Sequence, residues 1–178
     1  MKNKVVAVLT ASSTSGRSCV SRLLMAEQET SIRACFRSEE KRDAVVPALL
    51  EESGWSSATA DASALESAVG VDAGDVASLK EALSGADAAV LVTPLDYSRG
   101  FELDAAYSVN MCRAAIECNV SRVVHVGSWT TVASKELPGL ANRFLATEEF
   151  LKLGSPTLAA TAGTGESADS AGSQKDEL

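Results

Sequence analysis

The sequence holds a single histidine, His125, and four cysteines, Cys19, Cys35, Cys112 and Cys118, with no C-x-x-C pair among them. These absences remove the zinc frameworks, which collect several such ligands at short spacings, so no metal is expected. The cysteines read instead as reduced, small apolar residues packed in a cytosolic protein. Positive charge is also short: 16 Lys and Arg stand against 24 Asp and Glu, a formal net charge of -8. Tracking a phosphate backbone needs a basic footprint, so nucleic acid is excluded as a general partner. No apolar run approaches the roughly 20 residues that cross a bilayer, and no membrane span is expected.

What is present fits one soluble domain with a sizeable core. The 178 residues are 46% hydrophobic and 22% charged, an ordinary globular balance. Charge is unevenly spread: residues 1–50 carry +3 and the remainder -11, which puts any anion site near the N-terminus. Met1-Lys2-Asn3-Lys4 followed by Val5-Val6-Ala7-Val8-Leu9 has the charge order of a secretory signal. Its apolar run is shorter than the about 7–15 residues such a signal requires. The last four residues, Lys175-Asp176-Glu177-Leu178, spell an ER-retrieval address that means nothing without entry into the lumen. The expected location is therefore cytoplasmic rather than the ER lumen.

Along the chain, strand and helix patterns alternate. The unbroken apolar run at 5–9 suits a strand buried on both faces of a parallel sheet. A small polar turn at 10–16 leads into a helix with an apolar stripe of Cys19, Val20, Leu23 and Leu24. A second strand at 32–37 precedes a charged helix over 38–52, with Ser38 as its N-cap and Pro47 placed to kink or split it. Residues 53–67 read as a small, polar loop insertion, followed by a weak strand at 68–73. Val76, Leu79 and Leu83 mark the next helix, and residues 88–93 another buried strand. Ala105, Val109, Cys112 and Ile116 form one stripe of a long helix beginning near Phe101. A strand at 123–126 and a helix carrying Leu140, Phe144 and Leu151 complete the pattern. Five alternations predict an α/β fold, a doubly wound parallel sheet of about five strands with helices on both faces. The domain spans 1–154; residues 155–178, low in large apolar side chains, are expected to be a disordered tail, with a marginal sixth strand at 156–162.

In such a fold ligands bind beyond the carboxyl ends of the strands, where strand order reverses, so the first strand-to-helix turn is the place to look. It reads Thr10-Ala11-Ser12-Ser13-Thr14-Ser15-Gly16. Dinucleotide sites place glycines there, so that the backbone turns tightly and the pyrophosphate rests on the helix N-terminus. Further on come Cys35-Phe36-Arg37-Ser38, then Gly74-Asp75-Val76, then Gly85-Ala86-Asp87-Ala88-Ala89-Val90, then Asn110 and Val123-Val124-His125-Val126-Gly127-Ser128. In this order and spacing, over about residues 3–153, the chain resembles the NmrA-like branch of the atypical short-chain dehydrogenases/reductases, which carry an NAD(P)-binding Rossmann fold. Aligned on Leu23-Leu24, its turn keeps only the last glycine of the family's Gly-Ala-Thr-Gly-x-x-Gly, Gly16, with Thr10 and Ser13 in place of the other two.

The resemblance implies a cofactor site built from Thr10, Ser12, Ser13, Thr14, Ser15, Gly16, Arg17, Arg37, Lys41, Asp75, Thr93 and Pro94. Arg37 ends the second strand, where NAD-preferring folds carry an acid; an arginine fork matches a 2′-phosphate, and Lys41 and Arg42 lie one turn on, so NADP (NADPH) is favoured over NAD. Arg17 reads equally as a phosphate contact or as a solvated helix start. Asp75 resembles the acid near the adenine ring, with a plain helix N-cap as its alternative. Thr93 and Pro94 close the fourth strand, where the family lays the nicotinamide half, with a plain strand-ending turn as their alternative. Ser128 stands where the superfamily's catalytic serine falls, but no Tyr-x-x-x-Lys pair follows it. His125 reads as a packed core residue, Tyr97 and Tyr107 as lining or core. Two functions stay open: hydride transfer from NADPH to a quinone or other carbonyl, and a non-catalytic NADP(H)-sensing module that acts on a protein partner. A degenerate fold that binds nothing is a third.

Overall fold

The computed structural model describes residues 4–26, 30–54, 64–94 and 101–126. Among them strands and helices alternate in the order β1 (Lys4–Val8), α1 (Thr14–Ala26), β2 (Thr30–Phe36), α2 (Glu39–Glu52), β3 (Leu65–Val69), α3 (Val76–Leu83), β4 (Ala88–Val92), α4 (Phe101–Glu117) and β5 (Arg122–Val126). All strand pairs are parallel, in the order β3-β2-β1-β4-β5. The chain winds outward from β1 to β3, then crosses back to β4 on the other side of β1. Strand order therefore reverses between β1 and β4, which opens a crevice above the carboxyl ends of the central strands.

The apolar strand runs are long because both sheet faces are covered. Val8, Ile32, Ala34 and Phe36 point to one face, against Val20 and Leu24 of α1 and Val45 and Leu49 of α2. Ala7, Leu9, Cys35, Ala89 and Leu91 point to the other, against Leu79 and Leu83 of α3 and Val109, Met111 and Cys112 of α4. All four cysteines are free thiols; Cys35 and Cys112 are buried, as expected of small core residues, while Cys19 and Cys118 are half-buried. Polar ties close the layers. Asp87 accepts the Val5 N–H at 2.8 Å and donates its own N–H to the Val5 carbonyl at 2.9 Å. From β2, Arg33 reaches across Glu66 (2.9 Å) to the Ala82 and Ser84 carbonyls at the end of α3 (2.9 and 2.8 Å). No helix among the described residues is long and apolar enough to cross a membrane.

Several expected boundaries move. The helix after the first turn begins at Thr14, inside the segment expected to be turn. Ser38 caps α2 as expected, its hydroxyl accepting the Lys41 N–H at 3.3 Å. Pro47 does not split that helix. It sits on the exposed side, as does Asp43, whose carbonyl loses its i+4 donor and can take one from water instead. The third strand is Leu65–Val69, not 68–73. Val69 pairs with Phe36, the last residue of β2, and Gly70 at φ 82 then turns the chain out of the sheet. The last three residues of the expected loop thus belong to the strand, and residues 70–73 to the turn after it.

The buried face of α4 is also rotated, by about one residue, or roughly 100°. Asp104, Ser108, Met111 and Ala115 lie at its centre with Val109 and Cys112, while Ile116 is 44% exposed. Two polar residues on that face hid it from hydrophobic periodicity. Ser108 is accommodated there by a buried hydrogen bond with the Thr93 hydroxyl at the end of β4. The expected helix with Leu140, Phe144 and Leu151, the strand at 156–162, the tail at 155–178, Tyr97 and Ser128 lie outside the described residues, as do residues 55–63 of the insertion.

Candidate functional site

A cleft of ≈ 480 Å³ opens where the carboxyl ends of β1, β2 and β3 meet the flank of α4. Its floor is apolar: Leu9, Val71, Leu79 and Met111 line it, with the half-buried ring of Tyr107 and the Cys35 thiol. Burial pushes the Cys35 thiol up to about 12, so it is a neutral wall rather than a nucleophile. Its rim is polar: Thr10 and Ser12 come from the first turn, Arg37, Ser38 and Lys41 from the junction of β2 and α2, and Asp72 from the turn after β3. Pro94, just past β4, closes the far side.

Two cations and one acid share the rim. Arg37, 74% exposed, holds its guanidinium 3.5 Å from the Asp72 carboxylate. The other carboxylate oxygen of Asp72 accepts the Gly74 N–H at 2.8 Å, while the Asp72 N–H goes to the Ser78 hydroxyl at 3.0 Å. Asn110 of α4 donates to the Ala73 carbonyl at 3.1 Å. The β3–α3 turn is thereby fixed from both ends, and with it the acid that faces Arg37.

The first turn is wound tightly with a single glycine, Gly16. Thr10 takes the left-handed conformation at φ 57, which a β-branched residue rarely adopts. Its carbonyl accepts the Ser13 N–H at 3.0 Å, and the Ala11 N–H bonds the Cys35 carbonyl at 3.0 Å. Gly16 is buried beneath the turn: a Cβ there would overlap the Thr10 carbonyl oxygen and lie 2.9 Å from the Ala11 Cα. The Ser13 hydroxyl bridges the loop, donating to the Thr10 carbonyl at 2.9 Å and accepting the Gly16 N–H at 3.0 Å. It acts as the N-cap of α1.

Of the expected site residues, the structure brings Thr10, Ser12, Arg37, Lys41 and Pro94 to one cleft. Ser13 stands beside it with its hydroxyl engaged within the turn. Thr14 and Ser15 are exposed at the start of α1, and Gly16 is buried below. Arg17 turns away to Glu52 at 3.0 Å. Asp75 caps α3 by accepting the Ala77 N–H at 2.9 Å. Thr93 is buried against Ser108. His125 is half-buried on β5, not deep in the core. Sequence reasoning passed over Asp72, three residues before Asp75. The D-x-G spacing of an Asx turn at Asp72-Ala73-Gly74 was the available signal.

No family model matches the chain, and no curated protein matches it in sequence. Solved structures do match in fold. Triphenylmethane reductase of Citrobacter sp., complexed with NADP(H), superposes with a TM-score of 0.60 at 22% identity, over 89% of this chain and 46% of its own. An NADPH-dependent quinone oxidoreductase of Escherichia coli, complexed with NADPH, gives 0.60 at 20% identity, over 89% and 45%. A putative NAD-dependent epimerase/dehydratase from Bacillus halodurans gives 0.58 at 17% identity, over 89% and 64%. The chain thus spans just under half the length of the first two. At these identities the likeness is one of fold: this is a Rossmann-like α/β domain of the kind found in NAD(P)-binding proteins.

Proposed function

We propose that this chain is an NADP(H)-binding domain of oxidoreductase type, within the NmrA-like branch of the short-chain dehydrogenases/reductases. The observation that carries the reading is the pair of cations at the end of β2. Arg37 and Lys41 stand one helical turn apart on the rim of an apolar-floored cleft, where this fold reads the adenosine ribose. An acid at that strand end would repel a 2′-phosphate; an arginine fork and an ammonium attract it. Leu79, Met111 and Tyr107 would receive the adenine ring, and Thr10 and Ser12 would face the phosphates that follow. The NADP(H) and NADPH complexes among the structures of like fold support the same choice. When bound, NADPH supplies a hydride for a quinone or other carbonyl acceptor, and the domain supplies position.

The test is ligand-linked stability. NADPH at about one hundred times its dissociation constant adds roughly 2.7 kcal/mol to the folded state. For a domain of this size that raises the thermal midpoint by roughly 5–10 °C. The midpoint rises further with NADPH than with NADH at equal concentration. Equal shifts remove the preference, and no shift with either removes the proposed function.

A further inference from the structure

We propose that the Ser13 hydroxyl is a built-in competitor for the pyrophosphate of a bound dinucleotide, so that this chain draws less affinity from the pyrophosphate than from the 2′-phosphate of adenosine. The inference rests on the nucleotide-binding reading above and names the part of the nucleotide that carries affinity.

A pyrophosphate at the first turn of this fold is held by backbone N–H groups at the start of the helix. Here the Gly16 N–H already belongs to the Ser13 Oγ, at 3.0 Å. The same hydroxyl spends its hydrogen on the Thr10 carbonyl, at 2.9 Å. A serine hydroxyl has one hydrogen to give, so this one has none left for a phosphate oxygen. An incoming phosphate must break the cap to reach the Gly16 amide, and rotating Ser13 away strips the Thr10 carbonyl of a donor as well. The backbone cannot step aside for both groups, because Gly16 lies packed against the Thr10 carbonyl and Ala11 Cα. The cations are on another element: Arg37 and Lys41 line the cleft from the junction of β2 and α2. Attraction for phosphate is thus concentrated at the ribose position, while a donor at the pyrophosphate position is internally consumed.

Isothermal titration of the full chain with two probes, NADPH and adenosine 2′-monophosphate, tests this in wild type, Ser13→Gly and Ser13→Ala. Both substitutions delete the hydroxyl; the alanine keeps a Cβ and so separates the hydroxyl from backbone freedom. The affinity ratio of NADPH to adenosine 2′-monophosphate rises about tenfold in both variants, as one charge-assisted hydrogen bond is worth. Adenosine 2′-monophosphate, which has no pyrophosphate, binds all three proteins alike. An unchanged ratio with both probes still bound overturns the competitor and leaves the proposed function standing. A gain in the glycine variant alone, or a parallel change with both probes, makes backbone loosening the agent and overturns it too. Absence of binding by either probe to any of the proteins overturns this inference together with the proposed function.

Discussion

Replacing Gly16 with alanine sets two effects of opposite sign against each other. Gly16 lies in the first turn of α1, and on helix propensity alone alanine is favoured there by about 1 kcal/mol. The packing says the reverse. The new methyl would overlap the Thr10 carbonyl oxygen and come within 2.9 Å of the Ala11 Cα, both backbone atoms. That backbone is held by the Ala11 to Cys35 and Ser13 to Thr10 hydrogen bonds, each 3.0 Å, so relief requires the turn to unwind. Overpacking a rigid site costs about 1–3 kcal/mol, and contact with immobile backbone belongs at the upper end. The net expectation is a loss of about 1–2 kcal/mol. In urea, with a slope of roughly 2 kcal/mol/M, the midpoint falls by about 0.5–1 M at unchanged slope. Ser18→Ala is the control: an exposed position in the same helix, where propensity acts alone and stability rises by a few tenths of a kcal/mol. A Gly16→Ala protein as stable as wild type, or more so, refutes the close approach that shapes this turn.

Three further substitutions or conditions separate the parts of the molecule. Arg37→Ala lowers NADPH affinity about 10- to 100-fold, as loss of a charge-assisted contact does, and leaves NADH binding and the melting midpoint nearly unchanged, because its ion pair with Asp72 is exposed; a retained NADPH preference in titration refutes the assignment. Arg33→Ala loses about 1–2 kcal/mol in chemical denaturation, since it strands the part-buried Ala82 carbonyl, while NADPH preference is kept; a lysine there does not restore the loss, having no planar fork. Burial raises the Cys35 and Cys112 thiols from 9.0 to about 12, so the folded state keeps protons that the unfolded chain releases. Stability is therefore level below pH 9 and falls between pH 9 and about 12, by roughly 1 kcal/mol per pH unit per thiol, and Cys35→Ala flattens the decline seen by denaturation at pH 8 and pH 10.

The fold was legible because its central strands β1, β2 and β4 are largely buried. Val5 to Leu9 and Ala88 to Val92 read as runs with no helical competitor, and Ser38 announced α2 through its cap. The errors fall where a backbone or polar event overrode hydrophobicity. At β3, the expected strand ran past Gly70 to residue 73, but the positive φ of that glycine ends the strand. On α4, the apolar count chose Ile116 over Asp104 because no periodicity scale anticipates a carboxylate and a hydroxyl at the centre of a buried face. Arg37 and Lys41 do reach one cleft, since a strand end and the first turn of the next helix must be neighbours. Arg17 could equally have gone to either side of its helix, and only the position of Glu52 on α2 decides it.

Asp72 was passed over and the bonds of Ser13 went unread for one reason, which bears on how the cleft works. Each is defined by what it bonds to, not by what it is. Asp72 is one of two acids before α3; the Asx bond to Gly74 leaves a carboxylate oxygen facing Arg37, whereas Asp75 turns inward to cap. Ser13 is one of three serines in the first turn, and only it bonds both the Thr10 carbonyl and the Gly16 amide. That bridge also accounts for the conformation of Thr10. A β-branched residue at φ 57 costs of order 1–3 kcal/mol, a strain that survives only where surrounding bonds fix it. Two hydrogen bonds from Ser13 to the Thr10 carbonyl, one from its amide and one from its hydroxyl, are such bonds. The hydroxyl proposed to compete with a pyrophosphate is thus the same group that holds Thr10 in its left-handed conformation. Stability of the loop and access for the pyrophosphate are set against each other at one oxygen atom.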